Sequence, residues 1–166
     1  MTREPGGDAG YSGTPLYRKL GIKDGATVAL LGAPAGFEER LLPANAAAVK
    51  RMSIGALSVS SRGVSGSKTT GVPVGKPWDV VICFVKDKST LSRYFPGLAA
   101  AVHPAGAVWI AWPKRSSGVA TDLTEEVLRD VCLPTGMVDN KVCAIDEIWS
   151  GLRFVWRLEH RGRPRT

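Results

Sequence analysis

Residues 107–112, Ala-Val-Trp-Ile-Ala-Trp, form an unbroken apolar run that stops at Pro113. A run of this length without polar alternation is typical of a strand buried on both faces of a sheet. Trp109 and Trp112 stand three apart in it and should face opposite sides. Two further segments of the same kind lie upstream, at residues 27–32 and 78–85. Buried strands that alternate with helical segments predict an α/β domain in which these three strands lie side by side and parallel.

The segments between the strands carry helical signals. Residues 34–52 favour helix, with an interruption at Pro43, and residues 88–102 repeat large apolar side chains at helical spacing before a turn at 103–106. The stretch Asp122-Leu-Thr-Glu125 matches a capping box and predicts a helix with Asp122 as its N-cap.

Between these two helical segments, residues 56–77 carry weaker signals of secondary structure. Residues 56–60 alternate like an exposed strand. Residues 62–77 are rich in Gly, Ser, Thr and Lys without apolar periodicity, which predicts a long loop.

The end of the domain follows another pattern. Residues 137–145 and 152–158 read as two strands joined by a short connection, which predicts an antiparallel hairpin. We therefore expect a three-layer, Rossmann-like α/β fold with a mostly parallel sheet and an antiparallel C-terminal hairpin. A single domain should span residues 11–158, between a flexible tail at 1–10 and a basic tail at 159–166.

The composition indicates a globular protein without a membrane-spanning helix. The 166 residues are 44% hydrophobic and 22% charged, as in globular proteins, and no apolar run approaches the roughly 20 residues of a membrane helix. The N-terminus has no signal-peptide pattern, which predicts a cytoplasmic protein. Of the net charge of +7, residues 153–166 supply +4, from five arginines and one glutamate. The body of the chain is only mildly basic.

Cysteines and histidines give no catalytic or metal-binding pattern. Cys83, Cys132 and Cys143 are widely spaced and flanked by apolar residues, which predicts reduced side chains in the core. The two histidines, His103 and His160, have no partner at recognisable spacing, so we expect neither a zinc site nor a catalytic triad.

The predicted ligand-binding surface follows the strand at 107–112. Open α/β sheets bind ligands beyond the carboxyl ends of their strands, and helix N-termini attract anions. The loop there is cationic and rich in hydroxyls, so an anionic ligand such as a phosphate, carboxylate or nucleotide is expected. In the alternative reading, Asp122 itself caps the helix and the cations are solvated surface. The candidate residues are Trp112, Lys114, Arg115, Ser116, Ser117, Gly118 and Asp122.

Other candidate motifs favour structural roles. Residues 63–70 resemble a phosphate-binding P-loop, but Ser67 separates Gly66 from Lys68 and no helix follows. Asp146 and Glu147 could serve acid–base chemistry, although exposed acids in a turn are commoner. Asp79 is expected at the start of its strand, away from the ligand edge.

Four segments together resemble a bacterial family, domain of unknown function three-zero-five-two, over roughly residues 10–158. The resemblance implies no particular activity. The segments are Gly10-Tyr-Ser-Gly-Thr-Pro-Leu16 with Lys19-Leu-Gly-Ile22, Trp78-Asp-Val-Val-Ile82, Val108-Trp-Ile-Ala-Trp-Pro-Lys114 and Trp149-Ser-Gly-Leu-Arg-Phe-Val155.

The inferred strand order and residues 98–110 also resemble class I methyltransferases. Those enzymes hold S-adenosylmethionine with a glycine-rich loop after the first strand and an acid at the end of the second. Here the first loop is Gly32-Ala-Pro-Ala-Gly36, and the predicted second strand ends in Ser60-Ser-Arg62. The resemblance implies a methyltransferase-like scaffold whose cofactor site is lost or altered, and Gly32 and Gly36 would belong to that site.

Three functional hypotheses follow. The leading one is a Rossmann-like protein that binds an anionic small ligand at the carboxyl edge of the sheet, uses no cofactor, and is either non-enzymatic or has an unidentified activity with unknown catalytic residues. The first alternative is a divergent S-adenosylmethionine-dependent methyltransferase that uses the same edge. The second alternative is an interaction module that binds nucleic acid or an acidic protein through the 62–77 loop and the C-terminal arginines.

Overall fold

A computed structural model describes residues 15–41, 48–54 and 78–157, without the side chain of Ala48. Three α-helices are described, α1 (Leu16–Lys19), α2 (Lys88–Ala101) and α3 (Glu125–Cys132). The strands are β1 (Thr27–Leu31), β2 (Ala48–Met52), β3 (Trp78–Phe84), β4 (Val102–Pro113), β5 (Met137–Ala144) and β6 (Trp149–Trp156). Short 3₁₀ helices cover Phe37–Leu41, Arg115–Ser117 and Leu133–Thr135.

The six strands form one sheet in the order β2-β1-β3-β4-β6-β5. The first four are parallel, and β6 runs antiparallel to both β4 and β5. The predicted parallel strands and the C-terminal hairpin are thus confirmed. The chain moves outward from β1 to β2 and then returns to the other side of β1 at β3. Such a reversal opens a crevice beyond the carboxyl ends of the two strands that flank it.

Each face of the sheet has its own apolar core. On one face, α2 and α3 bury side chains such as Leu91, Phe95 and Leu128. On the other, α1 and the 3₁₀ helix Phe37–Leu41 lie against β1, β3 and β4. Trp112 belongs to the first core and Trp109 to the second, where the Trp109 indole N–H donates to the Leu20 carbonyl at 2.9 Å. The prediction that the two tryptophans face opposite sides is confirmed.

The prediction of a helix over 34–52 is wrong. Phe37 and Leu41 are buried, but the helical segment that contains them is a 3₁₀ helix of only five residues. Residues 48–52 form β2 instead, paired in parallel with β1 from Thr27 to Leu31. The predicted strand at 56–60 and the loop at 62–77 lie outside the described residues.

The predicted turn at 103–106 is also wrong, because these residues belong to β4. The register between β3 and β4 shifts there, so that Trp78 pairs with Val102 while Val80 pairs with Ala107. No helix in the described part of the chain is long and apolar enough to span a membrane.

Candidate functional site

The four parallel strands end at one edge of the sheet, here called the carboxyl edge. Residues 32–36 follow β1, residues 53–54 follow β2, residues 85–87 follow β3 and residues 114–124 follow β4. The turn at 145–148 lies at the same edge, because Trp149 at the start of β6 pairs with Pro113 at the end of β4.

Residues 32–36 form a short glycine loop beside the crevice. Gly32 and Gly36 adopt φ angles of +69° and +78°, a region that glycine enters without steric cost. A Cβ atom on Gly32 would lie 2.9 Å from the carbonyl oxygen of Phe84 in β3, whereas one on Gly36 would meet nothing within 4 Å. The backbone of the loop is therefore packed against β3 at one end and open at the other.

Arg51 on β2 holds the outer side of the glycine loop. Its Nη1 donates to the carbonyl of Ala33 at 2.7 Å and its Nη2 to the carbonyl of Pro34 at 2.8 Å. The same guanidinium binds both carboxylate oxygens of Glu38, at 2.7 and 2.8 Å. These hydrogen bonds from Arg51 hold the pKa of Glu38 at about 2, well below its ordinary 4.5.

The 3₁₀ helix that follows the glycine loop is tied to the turn at 145–148. Arg40 Nη1 binds a carboxylate oxygen of Asp146 at 2.8 Å, and its Nη2 donates to the carbonyl of Ile145 at 3.3 Å. The second oxygen of Asp146 accepts the N–H groups of Ile148 and Trp149, both at 2.8 Å. Asp146 is thus engaged in shaping its own turn.

Aromatic rings fill the space beneath this link. Phe84 makes edge-to-face contacts with Phe37 and with Trp149, each with ring centroids 5.0 Å apart. Such pairs stabilise beyond their burial alone. The contacts join β3, the 3₁₀ helix and β6 directly under the carboxyl edge.

In the predicted anion-binding loop, residues 114–118, some of the polar groups already form hydrogen bonds within the loop or to the residue that follows it. Arg115 and Ser116 are exposed, and Gly118 ends the 3₁₀ helix with a φ of +83°. The Ser117 hydroxyl donates to the Lys114 carbonyl at 2.7 Å and accepts the Val119 N–H at 3.0 Å. Trp112 is only 7% exposed and packs into the core beside α2 and α3, so most of its indole is covered by the protein itself. An anion at 114–118 stays a prediction.

The prediction that Asp122 caps the helix following it is wrong. Asp122 accepts the N–H of Lys88, at 2.8 Å, at the start of α2. Thr124 is the N-cap of α3 and accepts the Val127 N–H at 3.1 Å. The first turn of α3 carries Glu125 and Glu126, so two negative charges already lie at that helix terminus.

The start of α2 is equally occupied. Asp87 is its N-cap and accepts the Thr90 N–H at 3.0 Å, and the hydrogen bonds from Ser89 and Thr90 lower the pKa of Asp87. The first N–H groups of α2 are thus bound within the protein, that of Lys88 by Asp122 and that of Thr90 by Asp87.

The strand beside β1 is β2, which ends at Met52 and is followed by Ser53. The strand predicted at 56–60 and the segment Ser60-Ser-Arg62 that follows it lie outside the described residues. No carboxylate stands directly after β2 in the described residues. The one nearest to the glycine loop along the chain is Glu38, which Arg51 binds.

The remaining candidates are structural. Asp79 lies at the opposite edge, as expected, and its carboxylate accepts the N–H of Thr27. Cys83 and Cys132 are buried, Cys143 is half-buried and none of the three is paired, and burial raises the pKa of each thiol. Among the residues described, no group of His, Cys, Asp and Glu could hold a metal ion. The 159–166 tail lies outside them, so binding of nucleic acid or an acidic partner stays a prediction.

The overall arrangement is similar to solved methyltransferases. An S-adenosylmethionine-dependent methyltransferase from Aquifex aeolicus matches with a TM-score of 0.55 at 14% identity, over 82% of this chain and 85% of that one. A ribosomal protein L11 methylase from Lactobacillus delbrueckii subsp. bulgaricus matches with a TM-score of 0.57 at 14% identity, over 86% of this chain and 75% of that one. The fold is methyltransferase-like.

A third neighbour bears on the cofactor. It is magnesium protoporphyrin IX methyltransferase from Synechocystis PCC 6803, solved with bound S-adenosylmethionine, with a TM-score of 0.52 and 15% identity over 86% of this chain and 74% of that one. The prediction that the chain uses no cofactor is corrected by these neighbours, which point to S-adenosylmethionine instead. No model of a known protein family and no curated protein matches the chain, so membership of the family of unknown function stays a prediction.

Proposed function

We propose that this chain is a divergent S-adenosylmethionine-dependent methyltransferase that binds its cofactor beyond the carboxyl ends of β1 and β3. The strand order supports this location, because β1 and β3 flank the point where the winding of the sheet reverses. When bound, the cofactor would supply a methyl group carried on a positively charged sulfur.

The observation that carries the proposal is the geometry of Gly32. Its φ of +69° and the 2.9 Å that would separate a Cβ from the Phe84 carbonyl leave no room for a side chain. Glycine therefore lets the turn after β1 lie directly on β3. The backbone beyond it, at Pro34, Ala35 and Gly36, is exposed at the crevice, where a ligand can approach the main chain closely.

At the carboxyl edge, some of the other residues suit S-adenosylmethionine and some do not. The exposed backbone of the glycine loop and Lys86 after β3 would contact the ligand, and Ser53 would offer a hydroxyl where the resemblance calls for a carboxylate. The carboxylates of Glu38, Asp87 and Asp122 accept hydrogen bonds from the protein and serve the scaffold. We therefore expect recognition to depend on backbone approach more than on an acid that binds the ribose.

Calorimetry with S-adenosylmethionine and S-adenosylhomocysteine on the full chain tests the proposal. The informative variants are Gly36→Ala and Gly25→Ala, because both glycines have nearly the same φ, +78° and +82°, and neither has a neighbour within 4 Å of an added Cβ. Backbone strain is thus matched, but only Gly36 lies at the crevice, since Gly25 precedes β1.

We expect Gly36→Ala to weaken binding about tenfold, or ~1.4 kcal/mol, and Gly25→Ala to leave the affinity unchanged. Absence of binding by the wild-type chain at millimolar cofactor would overturn the proposal. Equal weakening by both variants would show that the ligand does not sit at the glycine loop.

A further inference from the structure

We infer that Arg51 is a positioning residue for the proposed site, because its guanidinium sets the conformation of the glycine loop on which ligand affinity depends. This inference rests on the proposed function, since it concerns the same loop. It assigns a specific task to a side chain that stands on a neighbouring strand and is remote from the loop in sequence.

The Arg51 guanidinium lies between two partners, the carboxylate of Glu38 and the backbone of the glycine loop. Arg51 pairs with Leu30 in the register of β1 and β2, one residue before the end of β2. On one side it binds both oxygens of Glu38, and on the other it donates to the carbonyls of Ala33 and Pro34, with all four distances between 2.7 and 2.8 Å. Charge-assisted bonds of this length are strong and directional.

The bond to Pro34 has a consequence for the next residue. In a trans peptide the carbonyl of one residue and the N–H of the following residue point in opposite directions. Because the Pro34 carbonyl faces Arg51, the N–H of Ala35 faces away from it. Pro34 itself has no N–H, so Ala35 is the first donor that this part of the loop can present. The Pro34 carbonyl also accepts the Phe37 N–H at 3.1 Å, so Arg51 and this turn hydrogen bond together fix the direction of that donor.

Lysine cannot replace arginine in this arrangement. An ammonium group is a compact point charge, whereas the planar guanidinium serves a carboxylate and two carbonyls at once from fixed directions. The substitution Arg51→Lys would keep a positive charge next to Glu38 but lose the simultaneous grip on the loop. The Arg51→Lys substitution therefore separates the effect of the positive charge at residue 51 from the effect of positioning the glycine loop.

Arg40 provides a matched control. Its side chain is 37% exposed, against 36% for Arg51, and it also binds a carboxylate and a backbone carbonyl. It anchors the same 3₁₀ helix, but through Asp146 and Ile145. Within the described part of the chain Arg40 donates to Asp146 and Ile145 and to no carbonyl of residues 32–36, so its loss removes a surface ion pair without releasing the glycine loop.

The experiment compares the wild-type chain with Arg51→Gln, Arg51→Lys and Arg40→Gln. Three quantities are measured: affinity for S-adenosylmethionine by calorimetry, the thermal midpoint, and amide chemical shifts and exchange at Ala35 and Gly36 without ligand. We expect both Arg51 variants to weaken affinity about tenfold and to alter the two amides. Arg40→Gln should change the thermal midpoint to a similar degree while leaving affinity and amides as in the wild type.

Unchanged loop amides in Arg51→Gln would overturn the inference, and so would equal losses of affinity in Arg51→Gln and Arg40→Gln. Full retention of affinity by Arg51→Lys would contradict it as well, because charge alone would then suffice. If the wild-type chain fails to bind the cofactor, the proposed function is lost, but the amide comparison still decides whether Arg51 positions the loop.

Discussion

The carboxylate of Asp79 accepts hydrogen bonds from both the backbone N–H and the hydroxyl of Thr27, at 3.0 and 3.3 Å, and the Asp79 N–H donates to that hydroxyl at 3.1 Å. This pair joins the amino ends of β1 and β3, the two strands that flank the proposed site at their other ends. Side chains thus fasten the strand pair at one edge and leave the backbone accessible at the other.

Replacement of Asp79 by alanine should destabilise the domain by ~1–3 kcal/mol, because it leaves the half-buried N–H of Thr27 without its acceptor. Urea unfolding followed by tryptophan fluorescence measures the effect. Asp24→Ala is the control, since Asp24 carries the same charge on an exposed turn. Equal destabilisation by the two substitutions would mean that the Thr27 contact adds nothing.

Gly32→Ala should cost more stability than Gly25→Ala by ~1–3 kcal/mol, the usual penalty of forcing extra atoms into a packed region. Both positions have positive φ, but only a Cβ on Gly32 would meet the Phe84 carbonyl, at 2.9 Å. The difference between the two free energies of unfolding isolates that close approach. A difference near zero would show that the loop moves aside freely.

The central strands could be predicted from the sequence because the residues of each strand alone show that it is buried. Strands β1 and β3, and β4 from Ala107 onward, are covered on both faces, so each appears as a continuous apolar run. Strand β2 has no such run, since Val49, Lys50 and Arg51 are exposed. Its conformation is set by pairing with β1, a non-local interaction that propensity alone does not report.

The candidate site was less predictable because its contacts connect distant parts of the chain. Arg51 reaches carbonyls 17 and 18 residues away, and Asp122 binds the start of a helix that begins 34 residues before it. The capping-box pattern at 122–125 correctly announced a helix, but Thr124 proved to be its cap. Glycines 32 and 36 could be singled out from sequence, whereas the side chain that holds their loop could not.

Thiol reactivity should distinguish the three cysteines. Burial raises the pKa of Cys83 to about 12 and also raises that of Cys132, so both should resist a disulfide reagent at pH 8 while the protein is folded. Cys143 is half-buried and should react slowly, and all three should react in urea. The measurement is release of thionitrobenzoate by the wild type and by Cys143→Ser. Rapid native reaction in the Cys143→Ser variant would show that the core around Cys83 and Cys132 opens readily.

The link between Glu38 and Arg51 should produce a defined pH dependence. The folded pKa of Glu38 is about 2, below its ordinary 4.5, so ionised Glu38 favours the folded state. This contribution is fully present above pH 4.5 and is lost as the pH falls through 4.5 towards 2. The difference in urea midpoint between the wild type and Glu38→Gln should therefore be constant from about pH 8 to 5 and shrink below that range.

High salt should also reduce this difference, because the pair is exposed and its charges are screened. Glu39→Gln is the matched control: Glu39 is the exposed neighbour and has no recorded ion pair within the described residues. Its midpoint should stay parallel to that of the wild type across the same pH range. If Glu38→Gln also ran parallel to the wild type down to about pH 2.5, Glu38 would not hold Arg51 in solution, and the glycine loop would need another anchor.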